Sequence, residues 1–438
     1  MNLPKVLIVG QPFNNETGGG ITLSNLFSKW EKGKLAVVCS PYLLNGNTNM
    51  EVCENYYQLG YKEHVWAFPF NVLSKKYPSG PFEFESQNPI PSENPSFRSK
   101  FVKGYLNPFL KWTGFSNSIA KYQLSKDLGN WLDKFQPDII YAQAQRRDAV
   151  LLCSKIQNYL HKPMIFHMMD DWPELIKHEG LLGKFWYRKI DSEFRKLLSQ
   201  TALHLSISES MAQEYESRYG YKWLTFHNPI DLDFWSSYQR NSYDLPENPV
   251  VLYAGRMGLG IQSSLEMMAD VIDSLNQEMG FSLKLVLQVS QVPKWSQKYA
   301  CVVVRGFVPY EHLPKHFAEA DILFLPYDFS DSSLAFIKYS MPTKASEYMI
   351  SGTPILVFAP KDTAIASYAE KYSWAKVVAE NDKDLLKTAL KSMLLHLEER
   401  RIIANNAINI AKDRHDAETV REKFRNTLSS LVVDKTLS

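Results

Sequence analysis

The segment 341–358, "MPTKASEYMISGTPILVF", combines residue types that could bind a phosphorylated ligand. Its pattern predicts a loop, then a helix that opens with Thr343 and Lys344, then a buried strand. A helix start is an anion site, because unpaired N–H groups and the positive end of the helix dipole point outward there. Glu347, in the first turn, could accept hydrogen bonds from hydroxyl groups of the same ligand. Phosphates and a ribose fit this combination.

Two glycine-rich turns suit a diphosphate. Gly18, Gly19 and Gly20 follow the first apolar run, and consecutive glycines let backbone N–H groups approach phosphate oxygens. The spacing is not the dinucleotide fingerprint, and a flexible turn that caps the first helix is the alternative. In the second turn, "AGRMGLG", Arg256 follows a predicted buried strand, which is where α/β sheets bind ligands. Its planar guanidinium could bridge phosphate oxygens, whereas a solvated surface arginine is the alternative.

Two further strand ends could hold a base or a sugar. After "VVVRGF", the backbone of Val308 could hold a flat base, although a plain connecting loop fits nearly as well. Just past the strand "PMIFHM" the sequence predicts a polar cluster of His167, Asp170, Asp171 and Glu174. The histidine could hold a sugar hydroxyl and a carboxylate could orient an acceptor, but paired aspartates also cap helices. The spacing does not show that these side chains converge, so no metal site is predicted.

The elements that position these residues are strands and helices in regular alternation. Apolar runs such as "KVLIVG" and "PDIIYA" in the first half, and "PVVLYAGR" and "DILFLPY" in the second, predict parallel strands covered on both faces. Repeated strand–helix units favour an α/β fold with two doubly wound Rossmann-like domains. The turn at Asn228-Pro229 interrupts the alternation. The predicted divisions are 1–228, 233–410 and a C-terminal helical segment, 411–438.

The composition excludes several classes of protein. The 438 residues are 45% hydrophobic and 22% charged, which is ordinary for a globular chain of two or more domains. A formal charge of +2 argues against a dedicated nucleic-acid binder. Four scattered cysteines form no Cys-x-x-Cys pair, which favours reduced thiols in the cytoplasm. The N-terminal apolar run is too short for a signal peptide, and no stretch reaches the length of a membrane span.

The segment 95–126 differs from the rest of the chain. It carries six lysines and arginines and no acidic residue, with seven aromatic residues interleaved. A basic, aromatic, amphipathic segment can lie on an anionic surface, here the inner face of the membrane. The alternative is an insertion that packs on its own domain with its lysines in water.

Taken together, these pieces resemble a known family across nearly all 438 residues. The chain resembles the family-4 glycosyltransferases of the GT-B fold, which are retaining, nucleotide-sugar-dependent enzymes of bacterial polysaccharide and glycan biosynthesis. The matching pieces are "GGG", "MDDWPE", "AGR", "VRGFVP" and "MPTKASEYMISGTPIL". The last is the most specific and is similar to the family's P-S/T-K-x-x-E-Y-M-A-x-G-x-P segment. The resemblance implies two Rossmann-like domains facing a cleft and a C-terminal helix that crosses back to the first domain.

The resemblance assigns roles in the second domain. Glu347 matches the second glutamate of the family's E-x7-E motif, which binds the donor ribose. Arg256 matches the phosphate-binding arginine, and Thr343 and Lys344 lie where helix-start groups meet the diphosphate. Val308 lies where backbone groups hold the base.

The resemblance also assigns roles in the first domain. Gly18, Gly19 and Gly20 match the loop that closes on donor and acceptor. His167 falls roughly where the family has a histidine near the donor sugar. Asp170, in the same cluster, is the candidate for the carboxylate that could orient an acceptor.

Two positions depart from the family pattern. Tyr339 stands in place of the first glutamate, and Gln262 stands in place of the second phosphate-binding cation. Lys344 or Lys338 could supply the missing charge. The contact to the donor sugar is then unassigned, with candidates among residues 331–333, Asp331, Ser332 and Ser333.

The implied activity is transfer of a hexose from a UDP- or GDP-sugar to a saccharide or lipid-linked saccharide, with retention. Neither a metal nor a cofactor is implied, and no nucleic acid takes part. The two departures motivate a second hypothesis, a catalytically inactive nucleotide-sugar binder that acts as a scaffold in glycan assembly. A GT-B-type epimerase that acts on a nucleotide sugar is a third.

Overall fold

The chain folds into two compact units in the computed structural model. The structure describes residues 3–15, 17–68, 70–72, 74–82, 102–177, 179–258 and 260–433. The first unit comprises Met1–Phe226 together with Arg421–Ser438, and the second comprises His227–Val420. The predicted segment 95–101 therefore lies outside the described residues. No helix among the described residues is long and apolar enough to cross a membrane.

The first unit is built around a mainly parallel sheet. Its strands are β1 (Val6–Gly10), β2 (Leu35–Cys39), β3 (Tyr56–Gln58), β4 (His64–Trp66), β5 (Gly80–Pro81), β6 (Ala120–Tyr122), β7 (Ile139–Ala142), β8 (Met164–Met168), β9 (Leu203–Ser206) and β10 (Trp223–Thr225). Within the described residues, eight strands form one sheet in the order β10-β9-β8-β7-β1-β2-β3-β5. Its pairs are parallel except β3 with β5, and β4 pairs separately with β6 in the antiparallel sense.

Helices cover this sheet. They are α1 (Gly18–Phe27), α2 (Asn107–Thr113), α3 (Ser116–Ile119), α4 (Lys126–Phe135), α5 (Arg147–Leu160), α6 (Trp172–Lys177), α7 (Gly183–Ser199) and α8 (Glu209–Tyr219). A π-helix, Val102–Leu106, leads into α2, and 3-10 turns lie at Lys32–Lys34, Pro41–Leu43 and Phe70–Val72.

The second unit repeats this design with a parallel sheet. Its strands are β11 (Val250–Ala254), β12 (Lys284–Gln288), β13 (Val302–Arg305), β14 (Ile322–Pro326), β15 (Ile355–Phe358) and β16 (Lys376–Val378). They are ordered β13-β12-β11-β14-β15-β16. Its helices are α9 (Leu232–Ser236), α10 (Gln262–Met279), α11 (Leu313–Glu319), α12 (Asp331–Ile337), α13 (Lys344–Ser351), α14 (Ala364–Tyr372), α15 (Lys383–Leu395) and α16 (Leu397–Arg414). Lys294–Lys298 and Tyr310–His312 are 3-10 helices.

The central strands are apolar along their whole length because both faces of each sheet are covered. In β11, Val251 and Tyr253 pack into one hydrophobic core, whereas Leu252 and Ala254 pack into a second core on the opposite face. Residues 6–9 of β1 are likewise fully buried. The predicted α/β class and the parallel strands are therefore confirmed.

The last helix, α17 (Ala417–Val433), begins in the second unit and ends in the first. Asp416 caps it, since its carboxylate accepts a hydrogen bond from the Thr419 amide at 3.1 Å. Farther along, the Phe424 ring lies 5.1 Å from that of Phe27, and the Arg421 guanidinium donates to the Asn25 carbonyl at 2.8 Å. The predicted C-terminal segment, 411–438, starts earlier, within α16, which belongs to the second unit.

Candidate functional site

The second sheet reverses its strand order between β11 and β14. The chain leaves β11 toward β12 on one side, whereas β14 is followed by β15 on the other side. In open parallel sheets, ligands bind outside the carboxyl ends of the strands at such a reversal. Arg256 lies two residues after β11, and Asp328 lies two residues after β14. The structure therefore places Arg256 at the edge where a ligand is expected.

The loop between β11 and α10 is tied to the loop that follows β14. Gly260 has a backbone φ of +90°, and its carbonyl accepts a hydrogen bond from the Asp328 amide at 2.6 Å. The Asp328 carboxylate in turn accepts from the Ser264 amide at 2.9 Å, and the Ser264 hydroxyl donates to the Tyr327 carbonyl. Asp328 therefore fixes the start of α10 against the end of β14.

The start of α10 keeps the features of an anion site. Gln262, an exposed side chain, is its first residue, and the helix has no acidic residue in its first turn. The residue before it, Ile261, makes no side-chain cap. The Asp328 carboxylate takes up the Ser264 amide, so the amides of Gln262 and Ser263 and the positive end of the dipole of an 18-residue helix are the groups directed at this edge of the sheet.

The helix predicted to open with Thr343 and Lys344 is confirmed as α13, which begins at Lys344, and a hydrogen bond joins it to the end of β11. The Tyr348 hydroxyl accepts a hydrogen bond from the Ala254 amide at 2.9 Å. Arg256 follows Ala254 by two residues, and Glu347 precedes Tyr348 by one. The guanidinium and the carboxylate therefore lie on two elements joined by a buried hydrogen bond.

Glu347 is a buried carboxylate, only 4% exposed. Burial raises its pKa above the ordinary carboxyl value, and the Lys344 ammonium partly opposes that rise. The Lys344 nitrogen lies 3.7 Å from Oε2, which has no hydrogen-bond partner within the described part of the chain. An acceptor held in this way is suited to a ligand that brings its own hydroxyl donors.

The burial of Glu347 leads to a testable prediction on stability. Because its pKa is raised, its contribution to the free energy of unfolding is complete below the ordinary carboxyl pKa and is lost as pH rises through the raised value. Glu347→Gln removes the cost of the ionised form, so we expect the Tm of the ligand-free protein at pH 7 to rise by about 2 °C. The difference should shrink as pH falls toward about 4. Differential scanning calorimetry across pH measures it.

The control for this measurement is Glu319→Gln, which changes an exposed carboxylate at the end of α11. It is expected to leave the Tm and its pH dependence unchanged. If Glu347→Gln lowered the Tm at pH 7, the ionised carboxylate would be stabilising and the burial argument would be wrong.

The two lysines that could replace the cation missing at Gln262 lie in different surroundings. Lys344 opens α13, and its ammonium also lies 5.4 Å from the centre of the Phe317 ring. Lys338 follows α12 and pairs with the exposed Asp362 at 2.6 Å. An exposed pair of this kind contributes little to stability, so it could open for a ligand.

The start of α12 borders the Gly260 loop. Ser330 caps this helix by accepting from the Ser333 amide, and a Cβ built on Gly260 would lie 3.6 Å from the Ser333 side chain. The structure therefore brings the predicted residues 331–333 close to the loop that carries Arg256. Thr343 has helical backbone angles and makes no side-chain cap on α13.

Val308 lies farther along the same edge. It follows β13, which is separated from β11 by β12. Two strand spacings amount to about 10 Å, so one extended ligand could reach both Val308 and Arg256.

The first sheet reverses its order between β1 and β7, and a chain of polar groups lies there. Gly10, at the end of β1, has a φ of +107°, and a Cβ on it would lie 2.0 Å from the Gln143 carbonyl. Only glycine therefore fits against the chain after β7. The buried Gln143 amide donates to the Tyr141 hydroxyl at 3.4 Å, and that hydroxyl is hydrogen-bonded to His167 Nδ1.

The predicted position of His167 was wrong. It lies within β8 and is fully buried, not past the end of the strand. Desolvation lowers its pKa to about 3, so the imidazole is neutral at physiological pH. It can make hydrogen bonds, but it does not supply a positive charge.

The three consecutive glycines open α1, and they have separate reasons to be glycine. A Cβ on Gly20 would lie 2.2 Å from the Asn14 side-chain nitrogen, whereas one on Gly19 would only touch Gln143 at 3.9 Å. The Thr17 hydroxyl caps the helix by accepting from the Gly20 amide at 3.0 Å. Packing therefore explains Gly20, while Gly18 and Gly19 present first-turn amides at the carboxyl edge of the sheet.

The cluster predicted after β8 does not act as one group. Asp171 is 2% exposed and is held by the Arg218 guanidinium at 2.9 and 3.0 Å and by the Tyr215 hydroxyl at 2.7 Å. Glu174 pairs with Lys177 on the surface of α6. Asp170 is half-buried directly after β8 and is the carboxylate of this cluster nearest to His167 in the chain. In the described ranges, no group of three His, Cys, Asp or Glu side chains could hold a metal ion.

Sequence reasoning missed four residues that shape these edges: Asp328, Tyr348, Gln143 and Asn14. Asp328 and Gln143 follow strands that were predicted, so the strand-end rule applied to Arg256 could have found both. Tyr348 acts through a contact 94 residues away, for which the local pattern carried no signal. Asn14 accepts from the Thr17 amide three residues on, a local turn that the sequence could have shown.

The family comparison concerns the second unit. Residues 248–396 match the family model of the glycosyl transferases group 1. The matched residues lie within the second unit, and we refer to residues 248–396 as the group 1 domain. They include Arg256, Gln262, Val308, Thr343, Lys344 and Glu347. No curated protein sequence matches the chain significantly.

Solved structures resemble the chain over nearly its full length. HepE of Anabaena, in complex with UDP and glucose, is 14% identical with a TM-score of 0.60, covering 98% of this chain and 100% of HepE. Sucrose-phosphate synthase of Thermosynechococcus elongatus is 11% identical with a TM-score of 0.62, covering 98% and 99%. WaaG, a glycosyltransferase involved in lipopolysaccharide biosynthesis, is 13% identical with a TM-score of 0.58, covering 97% and 99%. The GT-B fold, with two Rossmann-like domains, is confirmed.

Proposed function

We propose that the chain is a glycosyltransferase that moves a hexose from a nucleotide-sugar donor to a saccharide or lipid-linked saccharide, with retention and without a metal. The observation that carries this proposal is the arrangement within the group 1 domain. Arg256, the start of α10 and the buried Glu347 share one edge of the sheet, and the Tyr348–Ala254 hydrogen bond joins two of their elements.

The nucleotide would bind along this edge. Arg256, Lys344 and the starts of α10 and α13 supply positive charge and N–H donors for the diphosphate. Glu347 accepts hydrogen bonds from the ribose hydroxyls, and the Val308 backbone holds the base. The HepE structure contains UDP and glucose, which supports a UDP-sugar as the donor ahead of a GDP-sugar.

The chemistry would depend on stabilising the leaving group. Negative charge builds on the diphosphate as the bond to the sugar breaks, and fixed cations and amides stabilise that charge without reorganising. The acceptor attacks from the face that the leaving group departs from, and a phosphate oxygen takes the acceptor proton. No side chain acts as a nucleophile, and His167 is buried within β8.

The first unit would bind the acceptor. Asp170 would orient a hydroxyl of the acceptor, and the amides of Gly18 and Gly19 would contact the substrate at the end of β1. His167 would hold a sugar hydroxyl by a hydrogen bond. WaaG is involved in lipopolysaccharide biosynthesis, which supports a saccharide or lipid-linked acceptor.

The test of this proposal is a panel of UDP-, GDP-, ADP- and dTDP-sugars. A donor present at 100 times its Kd should stabilise the native protein by about 2.7 kcal/mol, which raises the Tm by about 5–10 °C. NMR of the incubated donor then separates the activities. Slow hydrolysis or transfer supports the proposal. Stabilisation without turnover would instead support the scaffold, which the neutral Gln262 favours, and an epimerised donor would reveal an epimerase.

A further inference from the structure

An exposed apolar surface lies on the first unit where α2 meets the start of α7. It consists of Phe109, Trp112, Phe115, Leu181, Leu182 and Phe185, and we refer to it as the aromatic surface. Phe109, Trp112 and Phe185 are each 55% exposed, and Leu181 is 69% exposed. Large apolar side chains gathered in one place on a protein surface mark an interaction site.

The two segments that form the aromatic surface are 69 residues apart, measured from Trp112 to Leu181, and are in direct contact. The Leu181 amide donates to the Trp112 carbonyl at 2.8 Å. Gly114 packs so closely that a Cβ on it would lie 2.7 Å from the Trp186 ring and 3.1 Å from the Leu182 side chain. The surface is therefore a product of the tertiary structure.

The scaffold beneath the aromatic surface is held by an ion pair. Arg147, at the start of α5, donates twice to the Glu193 carboxylate, each time at 2.6 Å. Its third donor reaches the Asn117 carbonyl of α3 at 2.9 Å, and its guanidinium lies 5.3 Å from the centre of the Trp186 ring. These contacts fix α3, α5 and α7 to one another below the exposed rings.

Basic side chains predominate around this surface. Residues 102–126 and 180–190 together contain seven lysines and arginines and no acidic residue, whereas the whole chain has 49 basic and 47 acidic residues. Lys184, Arg188 and Lys189 are exposed along α7 beside Phe185. One of the seven, Lys111, pairs with Glu179 just outside these segments at 3.2 Å. An anionic partner is therefore complementary to this surface.

We propose that the aromatic surface docks the protein on an anionic phospholipid bilayer. Aromatic side chains with adjacent basic side chains match the interface of such a bilayer. There the aromatic rings insert at the headgroup level and the cations meet phosphates. Compared with the predicted segment 95–126, the aromatic surface also includes residues from 181–185, and it excludes Tyr122, which is buried. The proposal concerns a surface apart from the donor-binding edge and does not depend on transfer activity.

The test is flotation of the full chain with vesicles of phosphatidylcholine, with or without about 30% phosphatidylglycerol. We expect binding to the anionic vesicles only, with affinity falling steeply between about 0.1 and 0.5 M salt. Trp112→Ser with Phe185→Ser should lower the partition coefficient at least tenfold, and Lys184→Gln should lower it about fivefold at low salt. Ile402→Ser changes an equally exposed residue of the second unit and should have no effect.

Three results would overturn this inference. The aromatic variant could bind anionic vesicles as the unchanged protein does. Binding could be equal on neutral vesicles and insensitive to salt. The protein could fail to bind vesicles and instead form a dimer that Trp112→Ser dissociates, as shown by analytical ultracentrifugation, in which case the surface would contact a second copy. Unchanged thermal stabilisation by a nucleotide sugar in each variant shows that the fold and the donor site are intact.

Discussion

Alanine in place of Arg256 is expected to lower kcat/KM for sugar transfer by about 100-fold or more. The guanidinium lies two residues after β11, where the strand order of the second sheet reverses. We propose that it stabilises the charge that develops on the diphosphate, so its removal should lower kcat more than it raises KM for the donor. Steady-state kinetics with the donor identified by the panel measure both constants.

Two control variants sharpen this result. Arg256→Lys keeps the charge and loses the planar fork, so its activity should fall between that of the alanine variant and the unchanged protein. Arg401→Ala removes an exposed arginine of α16 that pairs with Glu398, and its kinetics should be unaffected. Transfer that proceeds unchanged in Arg256→Ala would show that the diphosphate binds elsewhere.

Asp171→Ala is expected to destabilise the first unit by about 3–5 kcal/mol and to lower its Tm by about 6–12 °C or more. The carboxylate is buried and receives both arms of the Arg218 guanidinium and the Tyr215 hydroxyl. Removing it leaves two buried donors without their acceptor, although Glu214 retains a contact to Arg218 at 2.8 Å. Thermal or urea unfolding of the full chain measures the loss.

The matched control is Asp127→Ala in the same unit. Its carboxylate pairs with Lys62 on the surface, where both side chains are exposed, so about 1 kcal/mol or less should be lost. An Asp171→Ala protein with unchanged stability and lost transfer activity would contradict the structural role and point instead to a role in acceptor binding.

The strands of both sheets that flank the reversals could be predicted from sequence because they are buried on both faces. Such strands need apolar residues at every position. A run such as residues 322–326 can therefore be recognised as a strand without knowing which strand it pairs with. The strands between residues 56 and 122 escaped prediction. They are two or three residues long, and β4 finds its partner β6 more than 50 residues away. A short strand of this kind is defined by its partner and not by its own pattern.

The candidate site also has a part that could be predicted from sequence and a part that could not. Arg256, Gln262, Thr343, Lys344 and Glu347 could be proposed because each lies in a short motif at a helix start or a strand end, where local chemistry predicts an anion site. The contacts that hold these motifs in register could not, because each contact joins residues far apart in the chain. Asp328 contacts Ser264 across 64 residues, and Tyr348 contacts Ala254 across 94.

Local sequence patterns were enough to predict the α/β class, the alternation of strands and helices, and the helix that begins at Lys344. These properties depend on the hydrophobic period and on residues within a few positions of one another. Contacts distant in the chain were needed to show that His167 is buried and neutral, that Asp171 belongs to an ion pair, and that Trp112 meets Leu181. Burial, charge pairing and shared surfaces depend on which strand ends and helices the sheet order brings together, and that order is set by contacts between residues far apart in the chain.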